Sequence, residues 1–147
     1  MAKGGRGIPA GEIRISGRRV PLPLPTVRRA VATVLAAEHR TADISVTFVG
    51  RNTIRELNKR WLGHDVPTDV IAFPLSAPGG RLSGDVYVCT WQATRNAKLH
   101  GVSLREELLR LVVHGTLHVL GYDHPLDAKR LISPMWVRQE QFVEGLR

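Results

Sequence analysis

His114-Gly115-Thr116-Leu117-His118-Val119-Leu120-Gly121-Tyr122-Asp123-His124 places three of the chain's six histidines within eleven residues. His114 and His118 stand four apart at the end of a run that reads as a helix. A four-residue step puts both side chains on one helix face, with Cβ atoms roughly 5–6 Å apart. Gly121 offers a place for that helix to end, because glycine takes the left-handed C′ conformation without penalty. The chain then turns and returns His124 to the same point. Three neutral nitrogens would meet on one ion and leave a coordination position open to water. That is the layout of a catalytic zinc site, with Zn–N distances of about 2.0–2.1 Å.

Any one of these histidines alone reads as an ordinary helix or loop residue. Together they match the three-His spacing H-x-x-x-H-x-x-G-x-x-H of the metzincin proteases. Those proteases carry Glu directly after the first His, as the base that activates the bound water. Here that position is Gly115, which has no side chain for proton transfer. The metal spacing is kept and the peptidase base is missing.

Upstream, Ser103-Leu104-Arg105-Glu106 is a capping-box pattern that opens the helix. The helix runs to Leu120, with Leu104, Leu108, Leu111 and Val112 as its apolar stripe. Farther out, Glu12–Ser16 alternates as a first strand. A helix runs from Thr26 to about His39, with Val27, Ala30, Val31, Val34 and Leu35 on one face. Ile44, Val46 and Phe48 alternate in a second strand. A helix from about Asn52 ends at Gly63. Val70–Phe73 is a short strand closed by Pro74, and 76–80 is a loop. A fourth strand, Gly84–Cys89, enters a helix that starts near Thr90 and ends near Gly101. After His124 a helix is expected from Leu126, broken at Pro134, with Met135–Val143 as a terminal segment. Interspersed helices and strands argue an α/β (α+β) fold, a small mixed four-stranded sheet packed against about five helices. Residues 1–11 are glycine-rich and read as a flexible tail, and residues 12–147 as a single domain.

A chain of 147 residues with 43% apolar and 23% charged residues suits one globular domain with a genuine core. Its one cysteine, Cys89, excludes an intrachain disulfide, a zinc ribbon and a dithiol redox motif. It reads as a small core residue. The N-terminus has no apolar h-region, and no run approaches the roughly 20 apolar residues of a membrane helix. These features suggest a soluble, reducing, intracellular setting. The net charge of +8, from 21 Lys and Arg against 13 Asp and Glu, favours a polyanionic partner. The arginines are spread along the chain, so charge alone does not separate nucleic-acid binding from simple solubility.

The block His114–His124 closely resembles the signature of the YbeY family of bacterial rRNA-maturation endoribonucleases. Leu57-Asn58, Trp61 and Pro67-Thr68-Asp69-Val70-Ile71-Ala72-Phe73-Pro74 resemble that family's second segment, and Gly84-Asp85-Val86-Tyr87-Val88 its third. The resemblance covers roughly residues 30–125. It implies that His114, His118 and His124 bind one metal ion, usually zinc (Zn2+). It implies cleavage of single-stranded RNA in 3′-end processing of small-subunit rRNA and in ribosome quality control, in the cytoplasm and with the ribosome as partner. The chain departs from the family at Leu62, where most members carry Arg. Arg60 points roughly 200° away from that position on a helix. Ala72 stands where Ser is common, and Lys129, Arg130 and Pro134 fall in a segment that is usually acidic.

Metal-assisted hydrolysis is the mechanism expected. No general base or substrate-binding residue is evident. Asp123 reads as a turn cap or an orienting partner for an imidazole. Asp69 and Asp85 read as turn or strand-end residues, His64 as a loop residue near Leu62, and His39 and His100 as helix-end residues. Two alternatives stand beside the endoribonuclease. One is a ribosome-associated assembly factor with a structural metal and little nuclease activity, which Leu62 supports. The other is a metallopeptidase-like hydrolase, which Gly115 disfavours. Oligomeric state is not legible.

Overall fold

Alternating burial along Ala42–Val49 sorts the second strand onto two faces, with Ala42, Ile44, Val46 and Phe48 on the buried side. The computed structural model describes residues 11–76, 78–124 and 128–147. Its elements are β1 (Ile13–Gly17), α1 (Leu24–Ala37), β2 (Ala42–Val49), α2 (Arg51–Leu62), β3 (Val70–Ser76), β4 (Leu82–Cys89), α3 (Thr90–His100), α4 (Leu104–Val119) and α5 (Pro134–Leu146). Two short 3-10 turns, Pro78–Gly80 and Ala128–Ile132, complete them. The tail expected over residues 1–11 lies outside the described residues, Gly11 excepted. So does the helix start expected at Leu126.

The sheet order is β1-β2-β4-β3. β1 pairs parallel to β2, β2 parallel to β4, and β3 antiparallel to β4. This is the mixed four-stranded sheet with five helices that the periodicities suggest. One face buries Ile44, Val46, Val86 and Val88 against α1, α4 and α5. The other carries a smaller cluster of Ile54, Ile71 and Cys89 under α2. Cys89 is buried as expected. No helix among the described residues is long and apolar enough to cross a membrane.

Helix α4 is the central strut, touching β3, β4, α1, α3 and α5. Gly115 and Gly84 let it lie close to the sheet. A Cβ at Gly115 would fall well inside van der Waals contact of Val86, and one at Gly84 would do the same with Val119. Ser103 caps α4 by accepting the Glu106 N–H at 3.0 Å. Glu106 does not complete the reciprocal box with its side chain. Its carboxylate pairs instead with Arg110 and Arg147.

Two prolines behave differently from expectation. Pro74 does not close its strand, which continues to Ser76 with Pro74 opposite Gly84. β3 is an edge strand, so the missing N–H need not interrupt a second ladder. Pro134 does not break a helix but opens one. Ser133 is extended (φ −70°, ψ 154°), as the residue before proline tends to be, and its Oγ caps α5 by accepting the Trp136 N–H. Proline at the first helical position loses only an N–H that would have been unpaired anyway.

Candidate metal centre

His114 and His118 occupy successive turns near the C-terminal end of α4. The helix then stops in a Schellman motif. Gly121 takes φ +103°, its N–H donates to the His118 carbonyl at 3.0 Å, and the Tyr122 N–H donates to the Leu117 carbonyl at 3.0 Å. The turn is fixed from outside as well. Tyr122 Oη donates to Glu38 Oε1 at 2.6 Å, and Glu38 is paired with Arg138 of α5 at 2.8 Å. Asp123 Oδ1 accepts the His124 N–H at 2.9 Å, so Asp123 serves the turn, one of the two roles read for it.

These constraints bring the three imidazoles together. Ring centroids lie 4.7 Å apart for His114 and His118, and 5.2 Å for each of them from His124. One ring nitrogen from each falls within 4.8 Å of the others. A tetrahedral ion with bonds of about 2.0–2.1 Å holds its donors roughly 3.3 Å apart, so small ring rotations would close the set. Among the described residues no carboxylate joins the group.

Burial favours the neutral form of His114 and of His118. It pushes His114 down to about 4, partly opposed by its bond to Gln139. Burial also lowers His118, helped by the charge of His124 and opposed by Asp123. A neutral imidazole keeps the lone pair a metal needs. His114 Nδ1–H donates to Gln139 Oε1 at 2.7 Å, which leaves Nε2 as the ring's acceptor. Gln139 is 1% exposed. Its Nε2 donates to Glu140 Oε2 at 2.9 Å, and Arg110 holds Glu140 through two bonds of 2.9 Å. A chain of polar contacts thus runs from the imidazole through α5 and back to α4. The donor set and its support fit a borderline ion that prefers nitrogen.

Gln139 was not among the residues that spacing singles out. Its signal is a lone amide on an otherwise apolar stripe, with Met135, Phe142, Val143 and Leu146 as the other buried residues of α5. Gly115 also gains a second meaning. It faces Val86, so the peptidase glutamate is absent from a position that has no room for it. The other residues considered lie in other settings. Asp69 accepts from Asn96, and its carbonyl accepts the Cys89 N–H. Asp85 is a half-buried strand residue opposite Phe73. His64 is exposed after the left-handed Gly63. Leu62 is 51% exposed, while Arg60 lies 5.3 Å from the Trp61 ring centroid.

Comparison with known proteins agrees with this architecture. The family described as Endoribonuclease YbeY matches residues 17–147. An endoribonuclease YbeY of Persephonella marina is 38% identical over 128 residues, covering 82% of each chain. One from Moorella thermoacetica is 39% identical over 136 residues, covering 84% of this chain and 86% of its own. The solution structure of a Thermotoga maritima protein superposes with a TM-score of 0.65 at 32% identity, covering 91% of this chain and 88% of that one. The match reaches past the histidine block to take in β2, β4 and both helices that hold the site in place, and on that extent the chain belongs to the YbeY endoribonuclease family.

Proposed function

We propose that this chain is a metal-dependent, single-strand-specific endoribonuclease with His114, His118 and His124 as the ligands of one zinc ion. The convergence of three imidazoles, one already oriented by a buried amide, carries the reading. Its RNA substrate follows from family membership, since the curated relatives are named endoribonucleases. The task is 3′-end maturation of small-subunit rRNA and ribosome quality control in the cytoplasm. Residues 12–147 act as one domain, a reading supported by a single main core that includes Leu22 at one end and Leu146 at the other.

A bound zinc ion supplies Lewis acidity and a water nucleophile active near neutral pH. The protein's share is positional. Helix α4 fixes two imidazoles one turn apart, and the glycine turn delivers the third. Gln139 accepts a hydrogen bond from His114 Nδ1–H and so leaves Nε2 with the lone pair that would hold the ion. Gly115 leaves no proton-transfer group at the peptidase position.

The test is cleavage of a single-stranded RNA by purified protein beside His118→Ala prepared identically, with elemental analysis of both. Loss of metal and of cleavage together supports the reading. Equal cleavage by the two identifies a contaminant, and unchanged metal content in the variant refutes the ligand assignment. One observation favours a second reading, an assembly factor with a structural metal. Leu62 stands exposed at the position where the family resemblance leads us to expect Arg. Metal-dependent thermal stability without cleavage would support that role.

A further inference from the structure

Lys and Arg are dispersed along the sequence, but the fold gathers several at one end of the sheet. β1, β2 and β4 run parallel, with Gly17 opposite Phe48 and Val49 opposite Cys89. The residues that follow these strands therefore leave the sheet at the same end. They are Arg18 and Arg19, then Arg51 opening α2, then Trp91 in the first turn of α3. The Arg51 guanidinium stands 5.1 Å from the Trp91 ring centroid and that of Arg95 4.8 Å from it. Trp91 remains 39% exposed.

Helices α2 and α3 carry six Lys and Arg against one acid, Glu56, and neither has an acid in its first turn. Arg55 is committed to Asp65. Among the described residues neither Arg51 nor Arg95 has a carboxylate partner, so both charges stay available. Arginine neutralises phosphate, while indole and guanidinium planes stack on bases. A duplex has its bases already stacked, and an acidic peptide has no use for the flat ring. The combination fits an unpaired nucleic-acid strand.

We infer that the Arg51–Trp91–Arg95 cluster, with Arg18 and Arg19 at the same sheet end, grips single-stranded RNA by stacking one base and neutralising its flanking phosphates. The inference rests on the reading of this chain as an RNA enzyme but concerns a different surface. Gly115 meets Val86 and Val119 meets Gly84, so the C-terminal end of α4 lies toward the start of β4. Trp91 lies beyond the other end of that strand. At about 3.3 Å per residue the two surfaces are separated by roughly 15–25 Å along the strand, so a strand of several nucleotides is needed to reach both.

The test is fluorescence anisotropy with a fluorescein-labelled oligoadenylate of about ten nucleotides. It uses the full chain carrying His118→Ala, so that turnover does not interfere. Trp91→Leu is expected to weaken binding roughly 5- to 100-fold, and Trp91→Phe, which keeps a π-face, to retain most of it. Arg51→Gln with Arg95→Gln should lower the slope of log affinity against log salt by about 1.4. Arg29→Gln with Arg105→Gln, an equal charge change on α1 and α4, should lower it much less. Binding by Trp91→Leu within twofold of the parent, or equal slope changes from the two arginine pairs, overturns the inference. An RNA-cleaving parent whose Trp91→Leu form binds normally refutes the grip alone. A Trp91-dependent binder that never cleaves refutes the nuclease alone.

Discussion

Replacing Gln139 by leucine removes the acceptor for His114 Nδ1 and puts an apolar group of similar size in its place. The lost bond is short, 2.7 Å, and its acceptor is 1% exposed, so water cannot readily substitute. The imidazole then has no partner to choose between its tautomers, and the one that places the proton on Nε2 cannot present that nitrogen to an ion. Loss of such an outer partner typically costs 10–100-fold in metal affinity, about 1.4–2.7 kcal/mol. Glu140 keeps both of its bonds to Arg110, so the ion-pair cluster that joins α5 to α4 survives. A stability loss of about 1–3 kcal/mol is expected from the unpaired N–H, within what a core of this extent tolerates. The assay is competition for zinc with a chromophoric chelator, run beside Gln141→Leu. Gln141 lies two residues on and exposed, bonded to Arg138, so the same chemical change is made without reaching the imidazole. Equal zinc affinity in Gln139→Leu and the parent would refute the idea that α5 sets the metal-facing nitrogen.

Three further outcomes follow from the same geometry. Gly115→Ala gains helix propensity but drives a methyl into Val86, so a net loss of about 1–2 kcal/mol is expected in urea unfolding, and an unchanged midpoint would contradict the close approach. In the metal-free chain His114 is held down to about 4 against 6.5 unfolded, so the unfolded chain binds the proton first; stability should be complete above pH 6.5 and fall as the pH drops toward 4, and a flat profile from 6.5 to 4.5 would count against a buried neutral ring. The carboxylates Glu38 and Glu106 are lowered by their hydrogen-bonded partners, and Glu140, against its burial, by Arg110 and Gln139; they lose their contribution only below about 4.5, so the fall from pH 6.5 to 4.5 reports on His114. Burial pushes the Cys89 thiol up, so it should resist a thiol reagent in the native protein and react on unfolding; rapid native labelling would show that strand β4 opens readily.

Periodicity located the four strands and the first four helices near their true places, because each element's apolar residues recur at the spacing of its own geometry, while the last helix starts at Pro134, where a break was expected. Val27, Ala30, Val31, Val34 and Leu35 are all buried, as one helix face requires. Two prolines were misread. Pro74 reads as a strand terminator until β3 is known to be an edge, and Pro134 reads as a breaker until Ser133 is seen to cap. In both cases the residue's local restriction was read correctly, and its consequence depended on which neighbours were present.

The sequence by itself determined the metal-capable triad, since His114, His118, Gly121 and His124 are local and the helix repeat and the glycine turn set their approach. Only the tertiary structure decided what supports that triad and what surrounds it. Gln139 lies 25 residues from His114, and Glu38 lies 84 from Tyr122, so both contacts exist only because α1 and α5 pack beside α4. Arg51 and Trp91 meet for the same reason, their two strands pairing parallel and finishing at the same end of the mixed sheet. Spacing along a chain encodes contacts within one element; contacts between elements are set by burial of apolar faces, which fixes relative position and leaves no periodic trace in the residues that come to touch.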